Sequence, residues 1–78
     1  MKIQILGSGC PKCKQLTANA EAAVRDLGLA AEVEKITDLA QMMQFGVMMT
    51  PALAIDGEVK ASGKVLSPGD IKKLLQAQ

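Results

Sequence analysis

The stretch Gly7-Ser8-Gly9-Cys10-Pro11-Lys12-Cys13 separates an isoleucine-rich apolar run from a long helical pattern. That junction limits what the chain can fold into. Ahead of it, Lys2–Leu6 carries Ile3, Ile5 and Leu6 and reads as a buried strand. The glycines allow a tight, open loop. Pro11 then suits the first position of a helix, where its missing N–H is not needed. Beyond it, Cys13, Leu16, Ala20, Ala23, Val24 and Leu27 recur at three- and four-residue spacing, one face of an amphipathic helix. Gly28 is its natural stop. A strand that passes through a glycine loop into such a helix predicts a right-handed β-α-β unit with parallel strands.

The rest of the chain continues in the same idiom. Leu29–Ile36 alternates in part, with Leu29, Ala31 and Val33 one way and Glu32 and Glu34 the other, and predicts an edge strand. Thr37 or Asp38 can cap a short second helix whose apolar positions are Leu39, Met42 and Met43, ending at Gly46. Val47-Met48-Met49-Thr50-Pro51 reads as a loop. Asp56-Gly57 joins two strand-like runs, Ala52–Ile55 and Glu58–Ser62, as a hairpin. Ser67-Pro68-Gly69-Asp70 opens a last helix with a capping hydroxyl, a first-position proline and an early acid. Ile71, Leu74 and Leu75 are its expected buried face, and Lys72-Lys73 its solvated face. The order is β-α-β-α-β-β-α: an α/β fold with a four-stranded mixed sheet and three helices, expected to be one domain over residues 1–78.

Hydrophobic residues make up 49% of the chain, yet Phe45 is its single aromatic residue. The core must therefore be packed from aliphatic and thioether side chains. Met42, Met43, Met48 and Met49 are expected as adaptable filler, with Met48 or Met49 as an alternative apolar rim for partners. A net charge of +1 provides no electrostatic footprint for nucleic acid or an acidic membrane. The N-terminal apolar run is too short for a signal peptide, and no stretch approaches the roughly 18 apolar residues of a membrane span. The expectation is a soluble, cytoplasmic monomer.

In a reducing cytosol, two cysteines point to catalysis or metal binding rather than to a structural staple. A staple closing so short a loop would remove little chain entropy. Cys10 falls at the N-terminal end of the first helix, where unpaired backbone N–H groups and the helix dipole favour a thiolate. Lys12 adds a positive charge. Cys13, on the same side of the helix, heads the apolar stripe and is expected to be buried and protonated. Cys10 is thus the candidate nucleophile of a thiol–disulfide oxidoreductase and Cys13 its resolving residue, with Pro11 and Lys12 tuning the pair. Such chemistry requires no metal or organic cofactor. The alternative from another class is a small chaperone holding Cu(I) or a related soft ion between the same sulfurs. The chain has no histidine, and two cysteines supply only half of a tetrahedral zinc site.

The motif Gly-Ser-Gly-Cys-Pro-Lys-Cys, together with Glu34-Lys35-Ile36-Thr37-Asp38, Met49-Thr50-Pro51-Ala52-Leu53, Asp56-Gly57 and Ser62-Gly63-Lys64-Val65-Leu66-Ser67, resembles a known family. These are the small thioredoxin-like redox-active disulfide proteins of bacteria and archaea, a minimal branch of the thioredoxin and glutaredoxin superfamily. The resemblance covers essentially the whole chain. It implies a minimal thioredoxin-like fold, with Pro51 cis and lying against the disulfide. It implies that Met49 and Thr50 offer backbone to a substrate strand, with Gly63 near the same rim. It also implies protein disulfides as substrates and a flavin-dependent reductase or other dithiol donor as electron source. The sequence departs from the thioredoxin pattern at Gln4, which stands where thioredoxins carry a buried acid six residues before the first cysteine. Proton transfer at Cys13 must then use water, a lysine or another route. Lys12 stands where glutaredoxins typically have an aromatic residue.

Overall fold

The computed structural model describes residues 1–9, 11–47 and 49–76. Its elements follow the expected order: β1 (Lys2–Leu6), α1 (Pro11–Leu27), β2 (Glu32–Ile36), α2 (Leu39–Gln44), β3 (Ala52–Ile55), β4 (Glu58–Ser62) and α3 (Pro68–Gln76). The strands form one sheet in the order β2-β1-β3-β4. β1 pairs parallel with β2, Ile5 opposite Lys35, and antiparallel with β3, Ile5 opposite Leu53. β3 and β4 are antiparallel, with a register shift between Leu53 and Ala54. None of the described helices is long and apolar enough to cross a membrane.

The apolar runs of β1 and β3 are explained by cover on both faces. Ile3, Ile5, Leu53 and Ile55 pack with Leu16, Ala20 and Ala23 of α1 and Ile71 and Leu75 of α3. On the opposite face, Leu6, Ala52 and Ala54 pack with Ile36 and with Met42 of α2. A strand covered on both faces reads as a largely continuous apolar run; in β1 the run is broken at Gln4, which is 8% exposed. β2 lies at one edge, as its charges suggested, and its glutamates are kept where water reaches them.

The helix ends follow local chemistry. Asp38, rather than Thr37, caps α2, its Oδ1 accepting from Ala40 N at 2.8 Å. Ser67 Oγ accepts from Asp70 N at 3.1 Å and opens α3. In the hairpin, Asp56 (φ 51) and Gly57 (φ 87) both adopt left-handed backbone. This is the requirement of a tight turn that follows the strand twist. Asp56 also ties the turn to β1, donating from its N–H to Lys2 O and accepting from Lys2 N, each at 2.8 Å. From α1, Asn19 Nδ2 donates to Leu66 O in the segment before α3 at 2.8 Å, and Lys72 Nζ of α3 lies 2.9 Å from Asp26 Oδ2 of α1.

Four expectations are corrected. β2 begins at Glu32 and not at Leu29, because the exit from α1 occupies the intervening residues: Leu29 N still donates to Val24 O at 3.2 Å. On α2 only Met42 is buried, while Leu39 and Met43 are 70% and 68% exposed. A helix of six residues turns too small an arc toward the sheet face to bury all three. Leu74 is half-buried at the rim of an open groove between β4 and α3. Lys72 is not simply solvated but is the cation of the α1–α3 ion pair.

Two measurements check this packing. Leu53→Ala should cost about 2–5 kcal/mol in urea unfolding through lost contacts and a residual cavity, whereas the similar-sized Leu53→Met should cost less than about 1.5 kcal/mol. The Lys72 ammonium beside Asp26 holds its carboxyl below the ordinary value of 3.8. A carboxyl depressed in the folded state adds stability above its unfolded value, and that stability is lost as pH falls through the folded one. An NMR titration should find Asp26 below the ordinary value, and Lys72→Met should raise it toward that value.

Candidate active site

The sheet brings the Gly7 loop, the start of α1 and the loop before β3 to one end of the molecule. Cys13 is the third residue of α1 and is 5% exposed. Its backbone carbonyl accepts from Thr17 Oγ1 at 2.9 Å. Gly7, the first residue past β1, donates its N–H to Ile36 O at 3.0 Å. This bond fixes the loop against β2 at the point where Cys13 meets it. A Cβ built on Gly7 would collide with Cys13 Sγ and would lie 3.9 Å from Pro51 Cα. The thiol therefore sits in the space that a side chain at Gly7 would fill, with Pro51 at its edge.

The Thr50-Pro51 peptide bond is cis, as the resemblance implied. Pro51 is buried, and its carbonyl accepts from Gly63 N at 2.8 Å. Gly63 has φ 72, and a Cβ there would lie 3.1 Å from Met49 Cε. Met49 thus lies over Gly63 while remaining 63% exposed. Pro51, Gly63, Met49 and Cys13 with its Gly7 seat are gathered at one rim, and Thr50 is exposed beside them. Pro11 and Lys12 are exposed on the first turn of α1. Cys10 and Met48 lie outside the described residues. Of the methionines expected as core filler, Met42 serves that role, whereas Met43 and Met49 are exposed.

α1 has no acidic residue in its first turn, where Lys12 and Lys14 stand instead. This arrangement opposes the helix dipole, at a typical cost of about 0.3–1 kcal/mol per charge, and makes the helix start a region that favours negative charge. A small cavity of about 80 Å³ opens beside Cys13, lined by Gly7, Thr17, Lys14, Lys35 and Thr37 among others. Among the described residues, no group of three or more His, Cys, Asp or Glu side chains is placed to hold a metal ion. Gln4, in the place of the buried acid, is 8% exposed. Its Oε1 accepts from Gly57 N at 3.2 Å, in the hairpin turn.

Sequence reasoning treated Gly7 as loop latitude and missed it as the seat of the Cys13 thiol. It also missed Lys35 as a wall of the cavity beside that thiol. Neither was legible before the strand register was known: Lys35 reaches this end only because it pairs opposite Ile5.

A family model described as a thioredoxin domain matches residues 1–76. The chain belongs to the thioredoxin family. It is a thiol–disulfide oxidoreductase. Two curated archaeal relatives bear this out across nearly their full lengths. A thioredoxin from Methanothermobacter thermautotrophicus is 49% identical over 75 residues, covering 96% of this chain and 97% of the relative. A thioredoxin from Methanocaldococcus jannaschii is 40% identical over 75 residues, covering 96% and 86%.

Gly7→Ala should force the Cys13 thiol out of its seat. Expected are a loss of about 1–3 kcal/mol in denaturant unfolding, as for overpacking of a filled site, and a changed rate of Cys13 alkylation. An unchanged alkylation rate would show that Gly7 does not position the thiol.

Proposed function

We propose that Cys10 and Cys13 form the dithiol–disulfide couple through which this chain reduces protein disulfides. The observation that carries the reading is the seating of Cys13, buried at the start of α1 between Gly7 and the edge of cis Pro51. A buried thiol three residues after Cys10 suits a resolving role, because it is shielded from external oxidants and yet is close to its partner in sequence.

The steps follow from thiol–disulfide exchange. The Cys10 thiolate, favoured by the helix start and by Lys12, attacks one sulfur of a substrate disulfide. A mixed disulfide forms and the other substrate sulfur leaves as thiolate. Cys13 then attacks the Cys10 sulfur, forms the Cys10–Cys13 bond and releases the second substrate thiolate. Two electrons have passed to the substrate. A flavin-dependent reductase or other dithiol donor returns them by the reverse exchange. Met49 and Thr50, on the exposed rim before Pro51, would pair through their backbone with an extended substrate segment, and Gly63 would allow it to approach closely.

Steady-state insulin reduction with a dithiol donor tests the roles. Cys10→Ser should abolish turnover. Cys13→Ser should make the first attack but accumulate the mixed disulfide, visible as a mass adduct that a small thiol removes. Full steady-state activity in Cys13→Ser would show that Cys13 does not resolve the intermediate.

A further inference from the structure

We propose that the groove between β4 and α3 is a docking site for an extended, acidic segment of a partner protein. Nothing in this binding uses the sulfurs, so it stands apart from the Cys10/Cys13 reading above.

The groove has a volume of about 580 Å³. Its strand wall is Val59, Lys60, Ala61 and Ser62. Successive side chains of a strand point to opposite faces of the sheet, so four consecutive residues line one groove only where it runs along the strand's edge. β4 is the last strand in the order β2-β1-β3-β4, and among the described residues no strand pairs with its outer edge. α3 forms the other wall through Asp70, Lys73 and Leu74. The result is a slot with an open strand edge on one side and a helix on the other, a shape that an added strand fills.

The lining selects the kind of segment. Val59, Ala61, Leu66 and Leu74 are half-buried and supply apolar surface. Lys60, Lys64 and Lys73 supply three positive charges against the one carboxylate of Asp70. Lys64 and Lys73 are exposed and form no ion pair among the described residues. Lys60 Nζ lies 3.3 Å from Glu58 Oε1, but the Glu58 side chain is 74% exposed, and such a surface pair contributes little. A segment that alternates acidic and apolar residues therefore matches the groove in both charge and surface.

The same features disfavour other occupants. The β3–β4 register shift between Leu53 and Ala54 leaves Lys60 without a partner across the pair. A bulge and a lysine on an edge strand guard it against apolar or basic strands. Toward glutamate or aspartate the same lysine is attractive. Nucleic acid is the poorer occupant, because the groove has no aromatic side chain on which a base could stack. Ser62 and Lys64 line the groove and flank Gly63, which donates to Pro51 O and lies under Met49. A partner held at that rim would lay an adjoining segment along β4.

NMR titration of the isotope-labelled full chain with the cysteine-free peptide acetyl-Glu-Leu-Glu-Leu-Glu-Leu-Glu-amide tests this. Shifts should gather on β4 and α3 and spare β2. Lys60→Gln, Lys64→Gln and Lys73→Gln combined should weaken binding roughly tenfold, the summed effect of three exposed ion pairs. Binding should also weaken as salt is raised. Arg25→Gln, in the groove between α1 and β2, should change nothing. Equal binding of acetyl-Lys-Leu-Lys-Leu-Lys-Leu-Lys-amide would overturn the proposal, as would shifts gathered on β2 or no shift at millimolar peptide. Tighter binding of a single-stranded oligodeoxynucleotide in the groove would overturn it in favour of nucleic acid. Concentration-dependent shifts of β2 and β4 together, without peptide, would overturn it in favour of a second copy of this chain. None of these outcomes touches the roles of Cys10 and Cys13, which the serine variants test separately.

Discussion

The fold rests on the double burial of β1. Two of its residues, Ile3 and Ile5, turn toward α1 and α3, while Leu6 turns toward α2, and β2 and β3 hold its two edges. With so little aromatic surface, the core depends on many small aliphatic contacts converging on this strand and on β3 beside it. Every other element is placed by its relation to β1: α1 by the loop that leaves it, β2 by parallel pairing, and the hairpin by the Asp56–Lys2 bonds at its start. The end of β1 is consequently held by pairing on both edges and by packing on both faces. It is there that Gly7 turns the chain toward Cys13.

The site is built from that rigidity. Gly7 is held by Ile36, and the space above its missing side chain is taken by the Cys13 sulfur, with cis Pro51 at the edge. Lys12 and Lys14 in the first turn of α1 oppose the helix dipole, and Lys14 lines the cavity beside Cys13 together with Lys35 of β2. For stability alone this clustering of positive charge at a helix start is unfavourable. It makes this end of the molecule one that favours negative charge.

The exposed surface has a different logic. Met49 lies over Gly63 yet faces solvent, beside Thr50 and above buried Pro51. Leu39 and Met43 expose a further apolar ridge on α2. A core short of aromatic residues does not call on every methionine. What separates Met42 from Met43 is helix phase against the sheet, which composition does not reveal.

Local chemistry and periodicity were enough to read the order of the elements, the caps at Ser67 and the 37–38 pair, the Asp56-Gly57 turn and the burial of Cys13. Each of these depends on neighbours within a few residues, through capping bonds, left-handed backbone or helical spacing. Misreadings arose where the deciding neighbour is distant in sequence. Leu29 looked like strand until the exit of α1 claimed it. Leu39 and Met43 looked like core until the helix was laid on the sheet. Lys72 looked solvated until α3 met Asp26. The same limit explains the site: the sequence by itself determined which residues bear sulfur, and that Cys13 would be buried. Only the tertiary structure decided that Gly7 would seat that sulfur, that Pro51 would lie at its edge and that Lys35 would share its cavity, because strand register and chain crossing bring together residues that no local interaction joins.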